Sequence, residues 1–191
     1  MNETNIVSTA STSVLPQQNI GGKSEFLDAG KILSEILQIK KGDLVGDVGA
    51  GGGLFLMQIA RLVGDQGQVY AVDVVKNTLS ELESKARLSG LNNIKTIWSN
   101  LEVVGAAKIK NDSLDSAILV NVLFQSQKHY EILAETTRLL KNGGKLLIID
   151  WENNNLSFGP PKDRIIDLNQ IISLASELNL DLTQQFKAGP Y

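Results

Sequence analysis

The sequence predicts an α/β protein with a doubly wound, mostly parallel sheet, and two observations support this. From Phe26 onward, short apolar segments alternate with segments whose apolar residues recur at helical spacing, and no repeat or low-complexity linker interrupts them. Such alternation is typical of a parallel sheet covered by helices on both faces. With 191 residues, of which 42% are hydrophobic, the chain is long enough to bury the core of one domain.

The first residues differ in composition from the rest. Residues 1–22 are rich in Ser, Thr, Asn and Gln, and they lack both a basic start and a continuous apolar core. This composition is not that of a secretory signal, and it predicts a disordered leader. We therefore predict a leader over residues 1–22 and a single domain over residues 23–191.

Each element has its own sequence signal. Apolar segments bounded by turn residues predict strands over residues 44–48, 68–74, 93–100, 115–121, 145–150 and 181–191. Helical spacing predicts buried faces formed in turn by Ala29, Ile32, Leu33 and Ile36; by Leu56, Ile59, Ala60 and Val63; by Leu79, Leu82 and Ala86; by Ile132, Leu133, Thr136, Leu139 and Leu140; and by Leu168, Ile171, Ile172, Ala175 and Leu178. The predicted helix boundaries are an N-cap at Asp28, stops at Gly90 and at Asn142-Gly143-Gly144, and a capping box formed by Asp167 and Gln170.

Composition excludes several classes of function. A formal net charge of −3 argues against a general nucleic-acid binder, which needs a surplus of Lys and Arg. The absence of cysteine excludes disulfides and a thiol nucleophile, and a single histidine, His129, leaves almost no material for a catalytic triad or a multi-histidine metal site. We expect His129 to be a solvated residue at a helix start. No apolar run reaches the length of a membrane span, so we expect a soluble cytoplasmic protein, and nothing in the sequence calls for a metal.

The segment with the strongest functional signal is Leu44–Ala60, in which five glycines fall within residues 46–53. A strand, a glycine loop and a helix in this order bring backbone N–H groups and a positive helix end beside a ligand. A dinucleotide loop with the pattern G-x-G-x-x-G needs a third glycine where this chain has Leu54 or Leu56. No Gly-Lys-Ser/Thr follows either, so the loop is not a Walker loop.

The spacing that fits is an acid followed by three alternate glycines: Asp47, Gly49, Gly51 and Gly53. With this pattern the chain resembles the class I S-adenosylmethionine (SAM)-dependent methyltransferases. "RLLKNGGKLLIIDW" (residues 138–151) resembles a helix-to-strand turn of that family. "FLDAGKIL", "GDQGQVYAVDV", "LVNVLFQS" and the late "FGPPKD" and "FKAGPY" resemble, more narrowly, the small methyltransferases of ubiquinone and menaquinone biosynthesis (UbiE type). The resemblance extends from about Phe26 to Tyr191 and implies a Rossmann-like fold.

The resemblance also implies roles for individual residues. The glycine loop would lie under the methionine end of SAM, Asp73 would accept the ribose hydroxyls, and Val74 would pack against the adenine. Asn100 stands where relatives carry an acid that contacts the adenine amino group, and Asn121 would line the cofactor near its methyl group. The full predicted set for the cofactor is Asp47, Gly49, Ala50, Gly51, Gly53, Asp73, Val74, Asn100, Leu101 and Asn121.

The chain departs from the family pattern at two places. Phe124-Gln125 stands where many relatives have a histidine, so we assign no catalytic residue. The sequence also stops before the antiparallel seventh strand that the fold inserts between its fifth and sixth strands. Either the sequence is a fragment, or the sheet is completed in another way. On the acceptor side, Asp150 is a candidate for orienting a substrate, and Trp151 and Phe158 are candidates for an apolar wall.

Other interpretations remain open on the sequence alone. The glycines can form an ordinary tight turn, Asp47 can cap the following helix, Asp73 can be a simple strand-end acid, and Asn100 can be a turn former. Three functions are compatible with the pattern. They are a methyltransferase for a small molecule, with a quinone-like or other apolar acceptor weakly favoured; a SAM-binding relative without turnover; and, less favoured, a nicotinamide-dependent oxidoreductase.

Overall fold

A computed structural model describes residues 4–9, 29–151 and 159–186. The strands are β1 (Thr4–Thr9), β2 (Leu44–Val48), β3 (Gln68–Asp73), β4 (Ile94–Trp98), β5 (Leu114–Val120), β6 (Leu140–Ile149) and β7 (Leu180–Phe186). The helices are α1 (Ala29–Lys31, continued by a π-helical turn over Ile32–Ile36), α2 (Leu56–Val63), α3 (Lys76–Leu88), α4 (His129–Leu139) and α5 (Leu168–Glu177), with 3₁₀ turns at Leu123–Gln125 and Lys162–Arg164. The strands form one seven-stranded sheet in the order β4-β3-β2-β5-β6-β1-β7.

Helices cover both faces of the sheet, as the alternating pattern predicts. One core cluster joins the buried faces of α1, α2 and α3 to β2 and β3. The other joins α4 and α5 to β5 and β6. Most of the side chains predicted to face the core are buried, and Leu33, Leu56, Ile59 and Leu133 are fully so. The doubly wound α/β fold is therefore confirmed, although the predicted N-cap at Asp28 lies outside the described residues.

The region of Asn142-Gly143-Gly144 corrects one prediction. Helix α4 ends at Leu139, and β6 begins at once with Leu140, so the two glycines lie within a strand and do not stop the helix. Leu140 pairs with Leu114, and the register then shifts before Ser116 pairs with Lys145. A Cβ atom on Gly144 would lie 2.9 Å from the Lys141 carbonyl oxygen. The glycine therefore permits a close backbone approach at the irregularity.

The N-terminal segment corrects a second prediction. Thr4–Thr9, which we expected to belong to a disordered leader, forms β1 and pairs in parallel with both β6 and β7. It occupies the position between the last two strands where the family places its antiparallel strand. The sequence of this strand shows no clear apolar alternation. A segment can pair with an open strand edge through backbone hydrogen bonds alone, so the pattern did not indicate a strand. The rest of the expected leader lies outside the described residues.

The topology determines where a ligand can bind. Strand β2 lies between β3 and β5, so the chain moves first to one side of β2 and later to the other. In such sheets ligands bind beyond the carboxyl ends of the strands at this reversal of order. The glycine loop follows β2 at this point. In the part of the chain that the structure describes, no helix is long and apolar enough to cross a bilayer.

Candidate functional site

A cavity of about 710 Å³ opens at the carboxyl ends of β2, β3, β4 and β5. It is lined by every residue that the sequence predicts for the cofactor except Gly53. The remaining lining residues include Ser99 and Glu102 after β4, and Val122, Gln125 and Ser126 after β5. Elements that are far apart in sequence thus bring the predicted residues to one place.

The glycine loop packs closely against the carboxyl end of β3. The backbone N–H groups of Gly49 and Ala50 donate to the Val72 carbonyl oxygen at 2.8 and 3.0 Å. Gly49 has φ +83°, and a Cβ atom there would lie 2.4 Å from Cγ2 of Val122. Gly53 has φ +75°, and a Cβ atom there would lie 2.5 Å from Cδ2 of Leu82. Gly53 therefore allows the loop to pack on α3 and does not itself line the cavity.

Substituting Gly49 with alanine is expected to lower the free energy of unfolding by about 2 kcal/mol, because an L-residue is strained at this φ and its Cβ would meet Val122. Gly52→Ala is the matched control, since a Cβ there has no atom within 4 Å and its φ is not positive. Thermal unfolding of both variants without ligand measures the difference. Equal melting temperatures for the two variants would contradict this account of the loop.

Asp73 holds the loop in place. Its carboxylate accepts hydrogen bonds from the backbone N–H of Gly51 at 2.9 Å and of Val75 at 2.8 Å. The side chain is buried, with 9% exposure. Asp73 is thus more than a simple strand-end acid, since it joins the glycine loop to the end of β3. A carboxylate has about four acceptor positions, so two remain for a ligand.

Asp47 lies close enough to Asp73 for the two charges to interact. The residue is 4% exposed, and among the described residues no hydrogen bond or ion pair reaches its carboxyl group. Burial, and secondarily the charge of Asp73, raise the pKa of Asp47 to about 8. The free protein therefore holds a proton on Asp47 at neutral pH, and a cation bound beside it would favour the charged form.

Two backbone donors complete this end of the cavity. Gly52 and Leu54 line the cavity, and no hydrogen-bond acceptor is found for their N–H groups among the described residues. They precede α2, whose positive end favours an anion. A ligand with a cationic group near Asp47 and an anionic group near these N–H groups matches this arrangement.

Asn100 and Glu102 lie in the loop that follows β4. The side-chain oxygen of Asn100 accepts a hydrogen bond from the Glu102 backbone N–H at 2.9 Å. Asn100 therefore forms a turn, which is one of the two roles that the sequence left open for it. The carboxylate of Glu102 accepts a hydrogen bond from the Ser126 hydroxyl at 2.7 Å and lies 3.4 Å from Nζ of Lys128. The Ser126 hydrogen bond is the main cause that lowers the pKa of Glu102. Glu102 lines the cavity but is not among the residues predicted for the cofactor. Its position two residues after Asn100, in the loop that follows a predicted strand, is the sequence signal for it.

The turn after β5 forms the opposite wall. Asn121 has φ +55°, and its backbone N–H donates to the Ile149 carbonyl oxygen at 2.7 Å. Asp150 accepts hydrogen bonds from the backbone N–H groups of Leu123 at 2.9 Å and Phe124 at 3.3 Å. Its carboxylate also accepts from the backbone N–H of Trp151 at 2.9 Å, so it holds this turn, and Asp150 is not among the residues that line the cavity. A role in orienting a substrate stays a prediction. Burial raises the pKa of Asp150.

Three candidates from the sequence remain: His129, Trp151 and Phe158. His129 is half-buried, and its Nε2 lies 3.1 Å from the Leu123 carbonyl oxygen, so it also holds the turn and is not a freely solvated residue. Trp151 is half-buried beside Gly159, where a Cβ atom would lie 3.0 Å from the indole ring. Phe158 lies outside the described residues. No group of three or more metal-ligating side chains occurs within residues 29–151 and 159–186.

Comparison with known proteins identifies the family. The sequence matches the methyltransferase domain family over residues 39–185. The chain belongs to this methyltransferase family. Among solved structures, a SAM-dependent methyltransferase from Aquifex aeolicus superposes with a TM-score of 0.72 at 26% identity, over 81% of this chain and 80% of that protein. Both findings agree with the class I methyltransferase fold that the glycine spacing indicates.

Two curated relatives are similar over part of their length. A probable cobalt-precorrin-6B C(15)-methyltransferase from Saccharolobus solfataricus is 31% identical over 126 residues, which is 63% of this chain and 61% of the relative. The UbiE ubiquinone/menaquinone biosynthesis C-methyltransferase of a Marinomonas species is 29% identical over 114 residues, which is 59% of this chain and 44% of the relative. The methyltransferase described here therefore matches about half of the length of these relatives.

The residues of the cavity fit SAM. The methionine end of SAM carries an ammonium and a carboxylate, and a sulfonium adds a second positive charge. Asp47 has a buried carboxyl group, and neither it nor the N–H groups of Gly52 and Leu54 have a hydrogen-bond partner within the residues that the structure describes. A nicotinamide dinucleotide fits less well. Leu54 and Leu56 stand at its third-glycine positions, and Leu56 is fully buried.

Proposed function

We propose that this methyltransferase binds SAM in the cavity and transfers the methyl group to a small-molecule acceptor. The observation that carries the proposal is the convergence of Asp47, the glycine loop and Asp73 at the carboxyl ends of β2 and β3. Asp47 would face the cationic methionine end, and the free carboxylate lone pairs of Asp73 would accept the ribose hydroxyls. Val74, Asn100 and Leu101 would surround the adenine, and Asn121 would lie near the methyl group.

The cofactor supplies an electrophilic methyl group that its own positive charge activates. The task of the protein is then to align the acceptor and exclude water. We assign no catalytic base, because the carboxylate of Asp150 is already engaged with the backbone of the turn that follows β5. That turn would give the acceptor side its shape through Val122, Gln125 and Ser126.

The acceptor is proposed to be a small apolar molecule. The wall formed by β5 and α4 includes the apolar residues Val120, Val122 and Ile132. The names of the two curated relatives refer to C-methylation in ubiquinone/menaquinone biosynthesis and to C(15)-methylation of cobalt-precorrin-6B. We favour a quinone-like acceptor among these, and we keep the cytoplasm as the location that the sequence predicts.

Calorimetry with SAM, S-adenosylhomocysteine (SAH) and NAD tests the cofactor assignment. We expect SAM and SAH to bind and NAD not to bind. Incubation with SAM and quinol acceptors, followed by detection of SAH, tests turnover. Binding without turnover on any acceptor would favour the alternative of a SAM-binding relative without activity. Binding of NAD in place of SAM would overturn the proposal.

The apparent affinity for SAH is expected to rise with pH up to about 8. Below this pH, Asp47 must release a proton before it can pair with the ligand ammonium, since its pKa in the free protein is about 8. The dependence can approach about 10-fold per pH unit, and it ends where the ligand ammonium loses its own proton. Calorimetry in buffers of different ionisation enthalpy should detect the released proton.

The unliganded protein should show the opposite trend in stability. The pKa of Asp47 rises on folding from 3.8 to about 8, so the folded state holds a proton that the unfolded chain releases between these values. The contribution of Asp47 to stability is therefore present below about pH 4 and is lost as the pH rises to about 8. Asp47→Asn is the control for both pH trends, that of stability and that of SAH affinity. If the affinity of this variant for SAH depends on pH as steeply as that of the natural chain, Asp47 is not the titrating group.

A further inference from the structure

Trp98, the last residue of β4, carries a large indole side chain that is 60% exposed. It pairs in register with Asp73 on β3, and β4 is the outermost strand on this side of the sheet. Its indole N–H donates to the Val74 carbonyl oxygen at 2.9 Å, and Nζ of Lys76 lies 4.2 Å from the centre of the ring. A cation at this distance is attracted to the ring. The indole is therefore fixed on the segment that joins β3 to α3.

This segment leads into a helix that begins without the usual cap. Val75 occupies the N-cap position of α3, and no side-chain hydrogen bond caps the helix there. Ser, Thr, Asp and Asn are preferred at this position because their side chains accept hydrogen bonds from the first turn, which the side chain of valine cannot do. The path of the segment therefore depends on hydrogen bonds from outside it, and those of Asp73 and Trp98 supply them.

Both of these hydrogen bonds act on one peptide group. The peptide between Val74 and Val75 is trans, so its carbonyl and its N–H point in opposite directions. The indole of Trp98 donates to the carbonyl, and the N–H donates to Oδ1 of Asp73 at 2.8 Å. A donor on the carbonyl polarises the peptide and strengthens the bond that its N–H makes. A continuous chain of hydrogen bonds thus runs from the indole to the Asp73 carboxylate.

The orientation of the Asp73 carboxylate follows from its two backbone donors. Oδ2 accepts from the Gly51 N–H at 2.9 Å, and Oδ1 accepts from the Val75 N–H. Each oxygen has a second acceptor position, and the two donors determine where these remaining positions point. Gly51 is held by the glycine loop, whereas the peptide of Val75 is held at its carbonyl by Trp98. Rotation of this peptide would turn the carboxylate away from its present direction.

We propose that Trp98 is a positioning residue for the cofactor, which acts through the peptide between Val74 and Val75 to orient the Asp73 carboxylate towards the ribose hydroxyls. The proposal rests on the proposed cofactor site, since it uses the ribose position at Asp73. It gives a reason for an indole at an exposed strand end, because an indole N–H can reach the Val74 carbonyl while its ring packs beside Lys76.

The first test is Trp98→Phe, which keeps an aromatic ring beside Lys76 and removes the indole N–H. We expect the affinity for SAH, measured by calorimetry, to fall about 3- to 10-fold, as for the loss of one hydrogen bond. Tyr130→Phe is the control, because Tyr130 is also an exposed aromatic residue and does not line the cavity. Unchanged affinity in Trp98→Phe, or an equal loss in Tyr130→Phe, would overturn the proposal.

The second test asks whether the effect passes through Asp73. In a chain that already carries Asp73→Ala, Trp98→Phe should cause no further loss of affinity for SAH. The 2′-deoxy analogue of SAH lacks one ribose hydroxyl, and its penalty relative to SAH should be smaller in Trp98→Phe than in the natural chain. An equal loss with and without Asp73 would show that Trp98 acts by another route, which overturns the proposal and leaves the cofactor assignment intact.

The third test uses the natural chain and needs no folded variant. The chain has two tryptophans, so ¹⁵N labelling gives two indole N–H signals, and the signal that is missing in Trp98→Phe belongs to Trp98. SAH should shift this signal, because ribose hydroxyls on the carboxylate alter the chain of hydrogen bonds that ends at the indole. A Trp98 signal that SAH leaves in place would overturn the proposal. Failure of the natural chain to bind SAH at all would overturn the proposed function itself.

Discussion

Replacing Asp73 with alanine is expected to weaken SAH binding by about 1–3 kcal/mol, which is the usual cost of losing hydrogen bonds to a charged group. The substitution removes the acceptor that we propose for the ribose. It also releases the backbone N–H groups of Gly51 and Val75, which the carboxylate now holds at 2.9 and 2.8 Å. Calorimetric titration with SAH measures the loss.

Two comparisons separate these effects for Asp73. Asp73→Asn keeps one side-chain oxygen for the loop and removes the charge, so we expect a loss of affinity between those of the natural chain and the alanine variant. A 2′-deoxy analogue of SAH should bind the natural chain more weakly than SAH does, and this penalty should shrink in Asp73→Ala. Unchanged affinity in Asp73→Ala would refute the ribose assignment. An undiminished 2′-deoxy penalty would mean that Asp73 acts only through the loop.

Removal of the Glu135 carboxylate is expected to lower the free energy of unfolding by about 3–5 kcal/mol, because Glu135→Ala leaves a cation and two amides without their partner. Glu135 on α4 has 0% exposure. Its carboxylate lies 2.8 Å from the Arg138 guanidinium, and it accepts hydrogen bonds from the backbone N–H groups of Gly105 at 2.6 Å and Ala107 at 2.8 Å. These bonds hold the segment between β4 and β5 against α4.

The pKa of Glu135 supports this role. Burial acts to raise it, and the hydrogen bonds from Arg138, Gly105 and Ala107 outweigh burial, so the pKa lies below its ordinary value of 4.5. The stabilisation is therefore present above the ordinary pKa, and it is lost as the pH falls through the lowered value. Denaturant unfolding at neutral pH measures the effect. Glu81→Ala, at an exposed position on α3, is the control and should change stability by less than about 0.5 kcal/mol.

If Glu135→Ala unfolds at the same denaturant concentration as Glu81→Ala, the segment after β4 does not depend on this carboxylate. Glu135→Gln gives a further distinction. It keeps one acceptor for an amide and loses the charge that faces Arg138. An intermediate stability is expected for it, whereas a stability equal to that of Glu135→Ala would assign the whole effect to the ion pair.

The sequence could predict those features that depend on neighbouring residues. The boundaries of β2 were predicted to the residue, and the buried faces of α2 and α3 follow from apolar residues at helical spacing. Asp167 caps α5 as its position predicts, through hydrogen bonds to the backbone N–H groups of Asn169 and Gln170. In each of these cases the signal and the structure lie within one or two turns of chain, so the local pattern is sufficient.

Predictions were less accurate where a distant partner decides the outcome. The glycines at 143 and 144 would end an isolated helix, but pairing of Leu140 with Leu114 starts the strand earlier. Asp150 has the position of a substrate-facing acid, and only the fold brings it to the amides of Leu123 and Phe124. The strand at Thr4–Thr9 depends on the edges of β6 and β7, which lie more than a hundred residues further along the chain.

The sequence by itself determined the class of fold and the position of the glycine loop after β2, because strand and helix periodicity and the spacing of Asp47, Gly49, Gly51 and Gly53 are local properties of the chain. Only the tertiary structure decided which side chains are free at the cavity. Asn100 and Asp150 are engaged with backbone groups, whereas Asp47 is buried beside the cavity without a hydrogen-bond partner among the described residues. The reason is that a hydrogen bond needs two groups, and in a doubly wound sheet the second group usually comes from another strand.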